Sequence, residues 1–428
     1  MVKIIKEEPR WLTEYRWPNA SVQTTAVEAA VKGIVEDVQR RRDTALIEYT
    51  EKFDKVKLTS EELKITREEI NEAYQAVDLE TVEALRGTRD RLAANETQRL
   101  KGLSFTTSID GVTVWHEPRP LRRVGCYVPG GKAAYPSSLV MNVTPAKVAG
   151  VDEVIVATPP GQDGKITPLT LIAADVCGAD SVYRVGGAQA VAALAFGTDT
   201  IPRVDKIVGP GNKYVTAAKS LVQRWVAIDK PAGPTEILVV ADDSADPRLV
   251  ALDLVSQAEH GPGGICGVVT DSRAFAEAVN RELEAVVVSA PRSEYVKQVL
   301  DEGGFIYIAT SIHEAAGFAD RFAPEHVEVV TRDPWPLVAK IRGAGLILVG
   351  SNSPVSATDY ALGVNHVLPT EGYGRIAGGL TVLDYVKPVS IVEASRRGLE
   401  AVRSTVSVLA EAEGLPNHTR AVEGRFTK

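Results

Sequence analysis

Beyond about residue 127 the chain alternates short β-rich runs with helical ones, and that alternation constrains its fold more than anything else in it. VDEVIVATPP reads as a buried strand and PLTLIAADVCGA as the helix that follows. SVYRVGG is a strand ending in a glycine turn, and AQAVAALAFG is the helix it launches. DKIVGPGN repeats the strand and turn before the helical KYVTAAKSLVQRW. After a proline-marked crossing, DKPAGPTE, the same grammar resumes. ILVVADD and CGVVTD flank the helical LVALDLVSQAEH, while FIYIAT and VEVVT flank SIHEAAGFADRFA. Strands buried on both faces read as continuous apolar runs, and the helices between them make right-handed crossovers to parallel neighbours. The expected fold is α/β, with two Rossmann-like parallel-sheet domains, one inserted in the other.

The flanks set the expected boundaries. Residues 1–21 read as an irregular arm anchored by Trp11, Trp17 and Pro18, and residues 22–99 as charged amphipathic helices. The segment WHEPRPLRRVGCYVPGG holds three prolines and three glycines, a poor helix and a plausible domain crossing. An outer domain of 22–126 and 237–379 would then surround an inserted domain of 127–236. The mainly helical stretch 380–428 is too short to fold alone and reads as a tail packing on a partner subunit.

Composition excludes several classes of function. A net charge of −8 offers no global field for a nucleic-acid backbone. No apolar run approaches the roughly 20 residues that span a bilayer. The N-terminus does not read as a signal peptide. Three widely spaced cysteines, Cys126, Cys177 and Cys266, argue for a reducing compartment, so the cytoplasm is the expected location.

Four places carry chemistry. Asp246-Pro247 is a strong helix start, and Gly261-Pro262-Gly263-Gly264 a stop. Gln257 and His260 then fall three apart in the last turn, as a metal-ligand pair or as a histidine bonding the final carbonyls. Such a pair beside a strand terminus is where an α/β sheet places ligands. Pro324-Glu325-His326 sets two titratable groups side by side, either a proton-transfer pair or a polar loop. Asp359, before the run Gly363-Val364-Asn365-His366, is a hard oxygen ligand or an N-cap. His418, just past a Gly-x-Pro break, reads alone as a solvated residue. The glycine turns Gly130-Gly131, Gly186-Gly187 and Gly209-Pro210-Gly211 each follow a strand. They let a backbone approach phosphates or merely turn tightly. The dinucleotide fingerprint GxGxxG is absent.

Taken together these stretches resemble the histidinol dehydrogenase family over essentially the whole chain. The matching runs occur in family order: RRVGCYVPGGKAAYPSSLVMNVTPAKVAGV, RVGGAQAVAALAFGT, VGPGNKYV, PAGPTEILVVAD, SQAEHGP, FAPEHVE, DYALGVNHVLPT and NHTRAVEGR. The resemblance implies a zinc ion held by Gln257, His260 and Asp359 of one subunit and His418 of the other in a homodimer. It implies Glu325 and His326 as the catalytic pair. Substrate contacts fall to Thr235, Gln257, His260, His326, Asp359, Glu413 and His418, and NAD contacts to Tyr127, Gln189 and Asn212. Thr235 stands where serine is common in the family, and the hydroxyl is kept. The implied reaction is oxidation of L-histidinol through the aldehyde to L-histidine, with hydride passing to NAD at each step.

Three rival readings have distinct signatures. A relative with the same metal site and Glu-His chemistry would oxidise another small polyol, such as a sulfopropanediol. A cysteine nucleophile would make the chain a thiohemiacetal-forming dehydrogenase, with Cys126, beside Tyr127, the best placed. A zinc-bound module without activity would need a broken site, yet every matched position is present.

Overall fold

The computed structural model describes residues 2–6, 24–130, 134–230 and 233–427. The anchors expected in the N-terminal arm, Trp11, Trp17 and Pro18, lie outside these residues. Fourteen strands run through them. In chain order they are β1 (Lys3–Ile5), β2 (Phe105–Ile109), β3 (Val112–Pro120), β4 (Arg123–Tyr127), β5 (Glu153–Thr158), β6 (Ser181–Arg184) and β7 (Lys206–Val208). The remainder are β8 (Ala227–Ile228), β9 (Glu236–Ala241), β10 (Ile265–Thr270), β11 (Gly304–Ile308), β12 (His326–Val330), β13 (Leu346–Val349) and β14 (Val386–Ala394).

Two parallel sheets carry the molecule. One has the order β6-β5-β4-β7-β8 and the other β1-β11-β10-β9-β12-β13. Apart from the added edge strand β1, each is built outward in both directions from its first strand, the doubly wound order of a Rossmann-like domain. The expected α/β fold with two such sheets is what the chain adopts.

Alternation along the strands explains the layers. In the five-stranded sheet Val124, Cys126, Val154 and Val156 face helices Leu79–Lys101, Pro136–Ala149 and Pro168–Cys177. Ile155 and Ala157 face Thr24–Arg41, Gly187–Phe196 and Lys213–Val222. In the six-stranded sheet Ile237, Val239 and Val268 pack under helices Pro247–Ala258 and Arg273–Ser289. Leu238, Val240, Val327 and Val329 pack on helix Ile312–Phe322 from the other side.

Two features depart from the expected division. The helices between 24 and 101 share their core chiefly with the five-stranded sheet, Val367 being the residue of the 237–379 segment that joins it among the described residues, and β4 begins before residue 127. The tail is also more than helical. β14 pairs antiparallel with β3, which pairs with β2, to form a small third sheet. Pro118 and Pro120 lie beyond the stretch of β3 that β2 covers, so their missing N–H groups leave no ladder bond broken on that side. Helices Arg396–Ala412 and Pro416–Glu423 follow and pack on each other. Among the described residues no helix is long and apolar enough to cross a membrane.

Candidate active site

β9 and β12 are neighbours, and both begin at the same edge of their sheet, where His326 lies opposite Ile237. That edge gathers Thr235, Glu236, Glu325 and His326. Helix Pro247–Ala258, capped by Asp246, starts at the far edge after β9 and runs back to deliver Gln257 here in its last turn, with His260 just beyond its end. The short helix Val355–Thr358 leads to Asp359, which is its C-cap and not the N-cap of a following turn.

The contacts are dense. Thr235 donates its hydroxyl to Glu325 Oε2 at 2.6 Å and accepts from the Gln257 side-chain amide. Glu325 Oε2 also accepts from the Glu236 backbone N–H at 2.9 Å, and the Glu236 carboxylate in turn accepts from the Glu325 N–H at 3.2 Å. His326 Nδ1 lies 3.6 Å from Glu325 Oε2. Burial works to neutralise the Glu325 carboxyl, but the adjacent His326 ring and these donors hold its pKa below the usual value. Burial likewise disfavours a charged His326, and the Glu325 carboxylate outweighs it, holding that pKa up. The two side chains sustain one another as a polarised pair.

A second cluster adjoins the first. His260 Nε2 stands 3.8 Å from Asp359 Oδ2, and His366 Nδ1 lies 3.0 Å from the Asp359 carbonyl oxygen and 3.6 Å from its carboxylate. His366 belongs to a motif noted in the sequence, but nothing about its spacing assigned it a place beside Asp359. Its Nε2 reaches Ser138 Oγ at 3.4 Å, which ties this edge to the five-stranded sheet through helix Pro136–Ala149.

Among the described residues no three His, Cys, Asp or Glu side chains gather closely enough to hold a metal by themselves. Of the side chains implied as ligands, one chain brings His260, Asp359 and the amide of Gln257 to this edge. These residues nonetheless fit zinc. Ligand atoms each about 2.1 Å from one tetrahedral ion lie some 3–4 Å apart, as the His260 and Asp359 atoms do. Glu413 and His418 are exposed, at the end of and just beyond the first tail helix. Their contacts do not bring them into the cluster of their own chain.

The residues matched to NAD contacts lie on the five-stranded sheet at its carboxyl edge. Tyr127 ends β4, and its buried hydroxyl accepts from the Gly187 N–H at 3.2 Å, at the start of the helix that carries buried Gln189. Asn212 caps helix Lys213–Val222 through the N–H groups of Tyr214 and Val215. Gly209 has φ +111°, and a Cβ there would lie 2.0 Å from the Tyr127 carbonyl oxygen, so close packing alone demands this glycine. All three cysteines are free and buried, and burial raises each thiol pKa, leaving no thiolate to act as a nucleophile.

Comparison with known proteins bears on the chain as a whole. The family model described as histidinol dehydrogenase matches residues 18–426. The chain is 45% identical to a histidinol dehydrogenase of Methanosarcina barkeri, over 94% of this chain and 92% of that one. It is also 45% identical to one of Methanopyrus kandleri, over 95% of each. The crystal structure of histidinol dehydrogenase from Elizabethkingia anophelis matches with a TM-score of 0.94 at 34% identity, covering 99% of this chain and 98% of that one.

Proposed function

The chain belongs to the histidinol dehydrogenase family, and from that premise we propose that it oxidises L-histidinol through the aldehyde to L-histidine, as an NAD-dependent step of histidine biosynthesis. Two NAD are consumed, each taking one hydride. The observation that carries the reading is the hydrogen-bonded chain Gln257–Thr235–Glu325 beside His326 on one sheet edge, with His260 and Asp359 adjoining.

Zinc held by Gln257, His260, Asp359 and His418 of a second copy would act as a template for the substrate's imidazole and amine. The tail bearing His418 also carries Glu413, whose carboxylate suits the imidazole N–H. Exposed apolar side chains around that tail and the small sheet, Phe105, Ile109, Val392, Val408 and Leu409, support its burial against a second copy. Tyr127, Gln189 and Asn212 would orient NAD.

His326 removes the alcohol proton as hydride departs. Glu325, ionised and tied through Oε2 to Thr235 and the Glu236 N–H, then takes a proton from the water that hydrates the aldehyde. His326 serves again in the second oxidation. Retaining the aldehyde in one pocket keeps a reactive intermediate out of solution.

The experiment is zinc analysis combined with NADH formation on L-histidinol and, in parallel, on a sulfopropanediol. Zinc with turnover of histidinol is the expected result. Zinc with turnover of the sulfonated alcohol alone would replace the substrate.

A further inference from the structure

Two acidic side chains, Glu328 buried and Asp253 half-buried, lie under the site, and the chemistry above does not use them. Glu328 follows His326 by two residues on β12, so both point to the same face of the sheet, the face covered by helix Pro247–Ala258. On that helix Asp253 precedes Gln257 by four residues. Two residues along a strand advance about 6.6 Å and four along a helix about 6 Å, so a pair at one level repeats at the next. Gln257 meets the catalytic edge, and Asp253 lines one small crevice with Glu328 beneath it.

Glu328 is 2% exposed. Its Oε1 accepts from the Val355 N–H at 2.7 Å, at the start of the short helix that ends at Asp359. Among the described residues its Oε2 has no N–H or hydroxyl donor, and Asp253 lines the same crevice. Two carboxyls meet stably there only by sharing a proton. Burial and the facing Asp253 raise the Glu328 pKa well above the ordinary range, and burial raises that of Asp253, so the pair holds one proton between them.

We propose that Glu328, bonded to Asp253 and to the Val355 N–H, is a positioning residue that sets the strand of His326, the helix of Gln257 and the segment of Asp359 in mutual register. The proposal rests on the zinc and histidinol reading, since the register matters because those side chains share one substrate. Glu328 touches neither substrate nor metal and acts through the three elements it joins.

The test compares Glu328→Gln, Glu328→Ala and Asp253→Ala, using zinc affinity by chelator competition, amide exchange over residues 355–359 in the zinc-free protein, and KM against kcat for histidinol. Gln keeps both an acceptor for Val355 and a donor for Asp253, so E328Q should stay within a few-fold of wild type. E328A should lose roughly 10- to 100-fold in zinc affinity, as outer partners of metal ligands do, with faster exchange at 355–359 and a raised KM. Should E328A not fold, D253A, altered on a half-buried helix face, should shift the same readouts in the same direction. Wild-type zinc affinity and exchange in folded E328A or D253A would overturn the proposal, as would E328Q impaired like E328A. Wild-type protein that neither binds zinc nor oxidises histidinol overturns the functional reading instead, and the proposal with it.

Discussion

His326 Nδ1 lies 3.2 Å from the backbone carbonyl oxygen of Glu236, at the start of the adjacent strand. A carbonyl can only accept, so Nδ1 carries the hydrogen in the neutral ring and Nε2 is left as the basic nitrogen. Nε2 is buried with no hydrogen-bond partner among the described residues. A buried acceptor without a donor is costly unless a ligand supplies one, and an alcohol hydroxyl would. His326→Asn keeps a donor near the Nδ1 position and removes the base. It should lower kcat about 100- to 10,000-fold, the usual worth of a general base, and leave zinc content unchanged. Steady-state NADH formation checks this, and a kcat within tenfold of wild type would remove His326 from proton transfer.

Thr235 supplies one hydroxyl to two neighbours, donating to Glu325 and accepting from Gln257. Thr235→Val preserves shape and deletes both bonds. Hydrogen bonds to charged groups contribute about 1.5–3 kcal/mol, so kcat/KM should fall on the order of 10- to 100-fold. Oxidation of added histidinal should suffer more than oxidation of histidinol, because Glu325 acts on the water of the second step. Thr235→Ser should restore most of the loss. Equal losses in both half-reactions would argue against a separate task for Glu325.

What the sequence made legible follows from burial. β5, β6, β9 and β10 are enclosed on both faces, and their unbroken apolar runs between glycine turns identified them directly. β2 is exposed at every residue and β14 at most of them, so neither has a buried face to print an alternation, and the antiparallel sheet they form with β3 was not foreseen. Periodicity also cannot say which sheet a helix covers, and so the helices before residue 102 fell to the wrong core. The Gln257–His260 spacing correctly marked a helix end, but Glu325 and His326 lie at the amino edge of their strands, whereas ligands of open α/β sheets ordinarily gather at the carboxyl edge. Helix Pro247–Ala258 and the 350–359 segment both run back across the sheet, and that return is a tertiary fact with no local signature. His366 was missed for the same reason.

The Glu328–Asp253 pair predicts a pH-dependent stability difference. Both folded-state pKa values are raised, that of Glu328 by burial and the facing Asp253, and that of Asp253 by burial. The folded protein therefore binds more protons than the unfolded chain above the ordinary carboxylate range. Stability from the shared proton is full below that range and is lost as pH rises through the folded values. Glu328→Gln is neutral in both states. Asp253, and Asp246 on the same crevice, are the acids facing the position. The stability of E328Q relative to wild type, followed by thermal melting at each pH, should therefore climb between pH 5.5 and 8, by no more than about 1.4 kcal/mol per pH unit for one proton. A flat difference would mean that Glu328 is ionised in the folded protein.

The tail gives the most demanding prediction. His418 is exposed, on a helix that packs mainly on its neighbour in the tail, and the proposed zinc site lacks one ligand in each chain alone. His418→Ala should abolish zinc binding and turnover while the chain still folds, and His326→Ala should abolish turnover with zinc retained. Mixed dimers separate a shared site from a remote structural effect. In a heterodimer of the two variants, one site combines an intact His326 with an intact His418 from the other copy, and the second site lacks both. Random exchange makes half of all dimers mixed, with one working site in each, so activity should return to about a quarter of wild type. Heterodimers demonstrated by mass spectrometry yet without activity would show that each chain's site is closed on itself.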